Sequence, residues 1–164
     1  MLLAALAFLA EVAAPAAPSH IQTMRSAAPP HAFQPPSCNR GCLSAVEAVT
    51  YASYLGDKAG VAGTFEMPVV GVGQQDGLFY LNSERDYRDR NCLTVAMTPA
   101  AVLALVGTAD PDQVRKRLRG HRILVRGVAQ QVRINFMADG KPTEKYYYQV
   151  HVRVAEPGQI RVTS

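Results

Sequence analysis

Apolar and polar residues alternate along the last third of the chain, the period of a strand with one buried face. Val132, Ile134 and Phe136 are interleaved with Gln131, Arg133 and Asn135. Further on, Tyr148, Val150, Val152 and Val154 are interleaved with Tyr147, Gln149, His151 and Arg153. Asp139-Gly140, a turn pair, lies between the two runs. The pattern predicts a hairpin of two long strands, residues 122–136 and 146–154. Its expected core face carries Val132, Ile134 and Phe136 on one strand, with Tyr148, Val150, Val152 and Val154 on the other.

Shorter runs precede it. Residues 59–72 are rich in Val, Gly, Thr and Phe and predict a strand; Gly63 suggests a bulge or sharp bend, and Pro68 an interruption or an edge. After the turn signal Gln75-Asp76-Gly77, strands are expected at 78–81 and 92–97, with a charged exposed loop between them. Ser44 and Glu47 have capping-box spacing, so a helix is expected from 45 to about 54, with Val46, Val49 and Tyr54 on one face and Gly56 as the stop. Thr98-Pro99 and Asp110-Pro111 open two helical pieces that Gly107 and Gly120 end. A last short strand falls at 159–162.

The order is one helix, three strands, a helical segment and two long strands. It predicts a mostly β fold: a small OB-fold Greek-key barrel with a short N-terminal helix and a helical segment between strands three and four. Several motifs agree. Tyr54-Leu55-Gly56-Asp57-Lys58 leads into Val61-Ala62-Gly63-Thr64; Phe79-Tyr80-Leu81-Asn82 is followed by Tyr87 and then Leu93-Thr94-Val95; Gly120 to Val128 enters the fourth strand; and Gly158-Gln159-Ile160-Arg161-Val162 closes the chain. In this order they resemble a bacterial family of OB-fold, nucleic-acid-binding-like domains, from Ser44 to Val162. The resemblance implies a fold and a ligand class and brings no catalytic residues. The Tyr-rich hairpin and the Cys38/Cys42 pair depart from its simplest pattern.

The N-terminus adds a compartment. Residues 2–10 read LLAALAFLA, and an Ala/Pro-rich stretch follows to Pro18. This predicts a signal peptide over residues 1–18, a Pro/Ala-rich linker over 19–37 and the folded domain over 38–164. The run is short of the roughly 20 residues of a membrane span, so no stable span is expected after processing. The protein is then periplasmic or secreted. Of three cysteines, two should form a disulfide in an oxidising compartment, either joining Cys38 to Cys42 or using Cys92.

A chain of 164 residues, 48% hydrophobic and 18% charged, supplies a core and excludes disorder throughout. The net charge of +4 favours anionic partners or is simply a solvated basic surface. No G-x-S-x-G elbow, glycine-rich phosphate loop or paired-cysteine zinc spacing occurs. His121 and His151 stand alone. The expectation is a binding module rather than an enzyme, with no cofactor and no metal. The candidate ligand surface is the polar face of the hairpin, Arg133, Tyr147, His151 and Arg153, with Lys141 and Lys145 from the adjoining loop. Cations beside an aromatic suit single-stranded nucleic acid or another polyanion. An ordinary solvated face, on an envelope protein-interaction or structural module, is the alternative.

Overall fold

The computed structural model describes residues 35–39 and 41–163. The expected signal peptide and most of the linker lie outside the described residues.

Local chemistry sets the ends of the helices. Helix α1 (Ala45–Leu55) starts at Ser44, whose amide donates to Glu47 Oε2 at 2.8 Å while its hydroxyl accepts from the Glu47 amide at 3.3 Å. Helix α2 (Pro99–Val106) is capped by Thr98 Oγ1 and ends at Gly107 in the left-handed region. Helix α3 (Pro111–Leu118) is capped by Asp110, whose carboxylate accepts from the Gln113 amide at 2.9 Å. Of the expected face of α1 only Val49 is buried: it turns inward with Ala45, Ala48 and Ala52, while Val46 and Tyr54 are exposed. Small side chains on that stripe let the helix sit close to the sheet.

Eight strands form a mixed sheet: β1 (Leu43–Ser44), β2 (Gly60–Pro68), β3 (Gly71–Gln75), β4 (Leu78–Asn82), β5 (Leu93–Met97), β6 (Arg122–Ala138), β7 (Lys141–Val154) and β8 (Ile160–Val162). The hydrogen-bonded order is β1-β2-β6-β7-β5-β4-β3, with β8 also on β6. All neighbours are antiparallel except β1 with β2 and β5 with β7. Leaving aside the two residues of β1, the order starts on β2 and finishes on β3, consecutive segments separated only by Val69 and Val70. Pro68, which has no N–H to give, ends β2. The chain then changes partners: the Val69 amide donates to His121 O, and the Val70 amide to Asn82 O. Phe65, Met67, Phe79, Leu81, Val95, Val125 and Val152 meet in the core, which α1 and the Val102, Val114 and Leu118 side chains of α2 and α3 complete.

Gly63 makes no bulge. Pairing of β2 with β6 runs unbroken from Gly60 to Pro68, and Gly63 lies directly opposite Gly127. The closeness is at Gly127, where a Cβ would stand 2.8 Å from Val152 Cγ1.

The hairpin register corrects the expected core. Asp139 and Gly140 both have positive φ, forming a two-residue turn that pairs Ala138 with Lys141. A turn of two residues places even-numbered residues of β6 opposite odd-numbered residues of β7. The register then shifts between Met137 and Asn135 by two residues, which keeps that parity, so that Val132 pairs with Gln149, Ile134 with Tyr147 and Arg133 with Tyr148. Paired residues point to the same side. Val150, Val152 and Val154 are buried as expected, but Val132 and Ile134 lie half-buried on the opposite face, and Phe136 and Tyr148 are exposed.

Cys38 is bonded to Cys42, and Cys92 is a buried free thiol. The segment before the disulfide is tied down by Arg161, whose guanidinium donates to Pro36 O. No helix among the described residues is long and apolar enough to cross a membrane.

Candidate ligand-binding cleft

Alternation along β4, β5 and β7 builds the site. Phe79 and Leu81 face the core, so Tyr80 and Asn82 face outward. Across the sheet, Asn82 pairs with Thr94 and Thr94 with His151; Tyr80 pairs with Ala96 and Ala96 with Arg153. These residues form two outward rows. Gly73, opposite Tyr80, and Ala96, on its other side, leave space around that ring. The result is a cleft of about 330 Å³ between the Gln75–Gly77 turn, the loop of residues 83–92 and the β6–β7 hairpin. Tyr80, Tyr87, Tyr147, Asn82, Gln149 and His151 line it, together with Thr94, Ile134 and the β3 end from Gly73 to Asp76.

A chain of hydrogen bonds orients its polar groups. The Gln149 amide nitrogen donates to Tyr87 O at 2.9 Å, which turns the amide oxygen toward His151 Nε2 at 2.7 Å. That nitrogen must then carry the proton, leaving Nδ1 as an acceptor. Burial first, and the Arg153 charge second, push the His151 pKa down from 6.5 to about 4, so the ring is neutral at physiological pH. The Thr94 hydroxyl donates to Asn82 Oδ1 at 2.9 Å, leaving the Asn82 amide nitrogen as a donor. Tyr147 packs on Phe136, ring centroids 5.2 Å apart, and burial raises its pKa, keeping the phenol protonated. The cleft therefore offers aromatic faces and neutral donors and acceptors, with Asp76 the charged residue of its lining.

The six residues expected from sequence do not form one surface. Tyr147 and His151 line the cleft, and Arg153 stands beside His151, close enough to act on its charge. Arg133 does not line the cleft; its guanidinium carbon stands 4.0 Å from the Tyr146 ring centroid, and the residue shares a second hollow over β6 and β7 with His151 and Arg153. This is the register effect again: Arg133 pairs with Tyr148, not with Tyr147. Lys141 and Lys145 are exposed at the far end of the hairpin and do not line the cleft. Tyr80, Asn82, Thr94 and Tyr87 were not among the expected residues. The Phe-Tyr-Leu-Asn alternation in β4 carried the signal for the first two; Tyr87 had none, because a loop residue is placed by its contacts. The loop itself follows expectation, with Asp86 and Arg88 in an exposed bidentate pair at 3.0 and 3.1 Å that holds the Asp86 carboxyl below its usual range.

Among the described residues, no group of three or more His, Cys, Asp or Glu gathers where a metal ion could be held. No protein-family model matches the chain, and no curated protein matches it. Among solved structures it is similar to aspartyl-tRNA synthetase from Entamoeba histolytica (TM-score 0.40, 13% identity, over 69% of this chain and 20% of that one). It is also similar to a putative aspartyl-tRNA synthetase from Leishmania major Friedlin (TM-score 0.37, 11% identity, over 77% and 21%). The chain spans about a fifth of the length of these synthetases.

Proposed function

We propose that this domain is an OB-type barrel that binds single-stranded nucleic acid, on an exported protein without catalytic activity of its own. The barrel reading rests on the strand order, which begins and ends on consecutive segments of one stretch, and on α2 and α3 falling between β5 and β6. Export rests on the apolar N-terminal run and on the Cys38–Cys42 disulfide, a bond at home in an oxidising compartment.

One observation carries the ligand class: three tyrosines and the pre-oriented Asn82–Thr94 and His151–Gln149 pairs share one cleft, with the charge of Arg153 acting on His151. A base stacks on tyrosine and offers donors and acceptors on its edge, while its phosphate needs a cation. The neutral imidazole contributes a hydrogen bond rather than a charge.

Titration of a labelled oligonucleotide of about ten units, repeated at several salt concentrations, tests the proposal. Binding that weakens with salt and is lost on Tyr80→Ala supports it. Absence of binding at low ionic strength overturns it in favour of an envelope protein-interaction module.

A further inference from the structure

We infer that the tyrosine cleft continues across β7 into a second hollow, so that the site takes a chain of repeating anionic units rather than a single nucleotide. The inference rests on the nucleic-acid reading above. The second hollow, about 520 Å³, lies over β6 and β7 and is lined by Val128, Gln130, Arg133, Arg153 and Gln159, among others. His151 lines both hollows. Register places them in one line: Asn82, Thr94, His151 and Gln130 form a single cross-strand row over β4, β5, β7 and β6. Three strand spacings of about 4.8 Å make that row roughly 14 Å long, wider than one nucleoside.

The two hollows divide the chemistry. Residues lining the first are aromatic or neutral and polar, with Asp76 as the charged member. Arg153 belongs to the second and is adjacent to His151 at the junction. It makes no ion pair among the described residues. A base in the tyrosine cleft thus leaves its phosphate at Arg153 and directs the next unit over Val128, an exposed apolar side chain of the second hollow. A mononucleotide fills the first hollow and reaches Arg153, whereas two or more linked units fill both.

The test is a length series of thymidylates, from the mononucleotide to about ten units, bound at low salt to the unmodified protein and to two variants. Val128→Glu sets a carboxylate in the second hollow. Gly73→Leu projects into the first, at a position where a Cβ meets nothing within 4 Å. The expected result is an affinity gain of about ten-fold or more between the mononucleotide and the trinucleotide. Val128→Glu should abolish that gain, and Gly73→Leu should weaken every length. Affinity that is flat with length, or a gain that survives Val128→Glu, overturns the continuous track while leaving the nucleic-acid reading intact if Gly73→Leu still weakens binding. Failure of every length to bind overturns that reading, and the track with it. The length series on the unmodified protein decides the matter even where a variant folds poorly.

Discussion

The Gln149 amide oxygen and the His151 Nε2 lie 2.7 Å apart, and because Gln149 is anchored on Tyr87 O, the contact selects the His151 tautomer. Each member depends on the next: the loop carbonyl fixes the amide, the amide fixes the imidazole, and the imidazole presents Nδ1 as the remaining acceptor.

Stability should depend on pH through this ring. The folded protein protonates His151 near pH 4, whereas an unfolded histidine takes up its proton near 6.5. Between those values the unfolded chain binds more protons, so stability is full above pH 6.5 and declines as pH falls toward 4, by on the order of 3 kcal/mol. Urea unfolding at three pH values across that window should show the decline in the parent protein and a shallower one in His151→Asn. Identical slopes in the two proteins would refute the assignment.

The hairpin register has a mutational signature. Val152 lies at the centre of the core and is fully buried, and Val132 is half-buried on the outer face. Val152→Ala should cost about 2 kcal/mol and Val132→Ala less than about 1 kcal/mol, read as shifts in denaturant midpoint. A reversed ranking would restore the even-with-even pairing of the two strands.

Within the proposed site, stacking and charge should separate. Tyr80→Ala or Tyr147→Ala should each weaken oligonucleotide binding by about 1–3 kcal/mol with little change in salt slope. Arg153→Gln should lower that slope by roughly one. Lys116→Ala, on α3, should leave both quantities nearly unchanged. Equal losses at Arg153 and Lys116 would mean diffuse attraction rather than a defined cleft.

Thiol chemistry checks the cysteine assignment. A thiol reagent should find no reactive cysteine in the native protein and one, Cys92, after unfolding without reductant. Replacing Cys38 and Cys42 together by Ser should cost no more than about 2 kcal/mol, because so short a loop restrains the unfolded chain only modestly. Labelling of two or more thiols in the unreduced, unfolded protein would contradict the bond.

The sequence by itself determined what depends on near neighbours. Ser44 with Glu47, Thr98 with Pro99, and Asp110 with Pro111 start helices because a cap reaches only three residues along the chain. Pro68 ends β2 for the equally local lack of an amide hydrogen. The turn at Asp139-Gly140 was legible too, whereas the register shift between Asn135 and Met137 that brings Ile134 opposite Tyr147 was not. Tertiary structure alone decided the rest. Which stripe of α1 is buried depended on how closely the sheet approaches, favouring alanines over Val46 and Tyr54. The pairing of Cys38 with Cys42 followed once Cys92 was enclosed in the interior. Above all, the cleft joins Tyr80, Thr94 and His151 from three strands with Tyr87 from a loop, residues distant along the chain. Alternation states which side of a strand each one faces, but only the strand order and register decide which of them become neighbours.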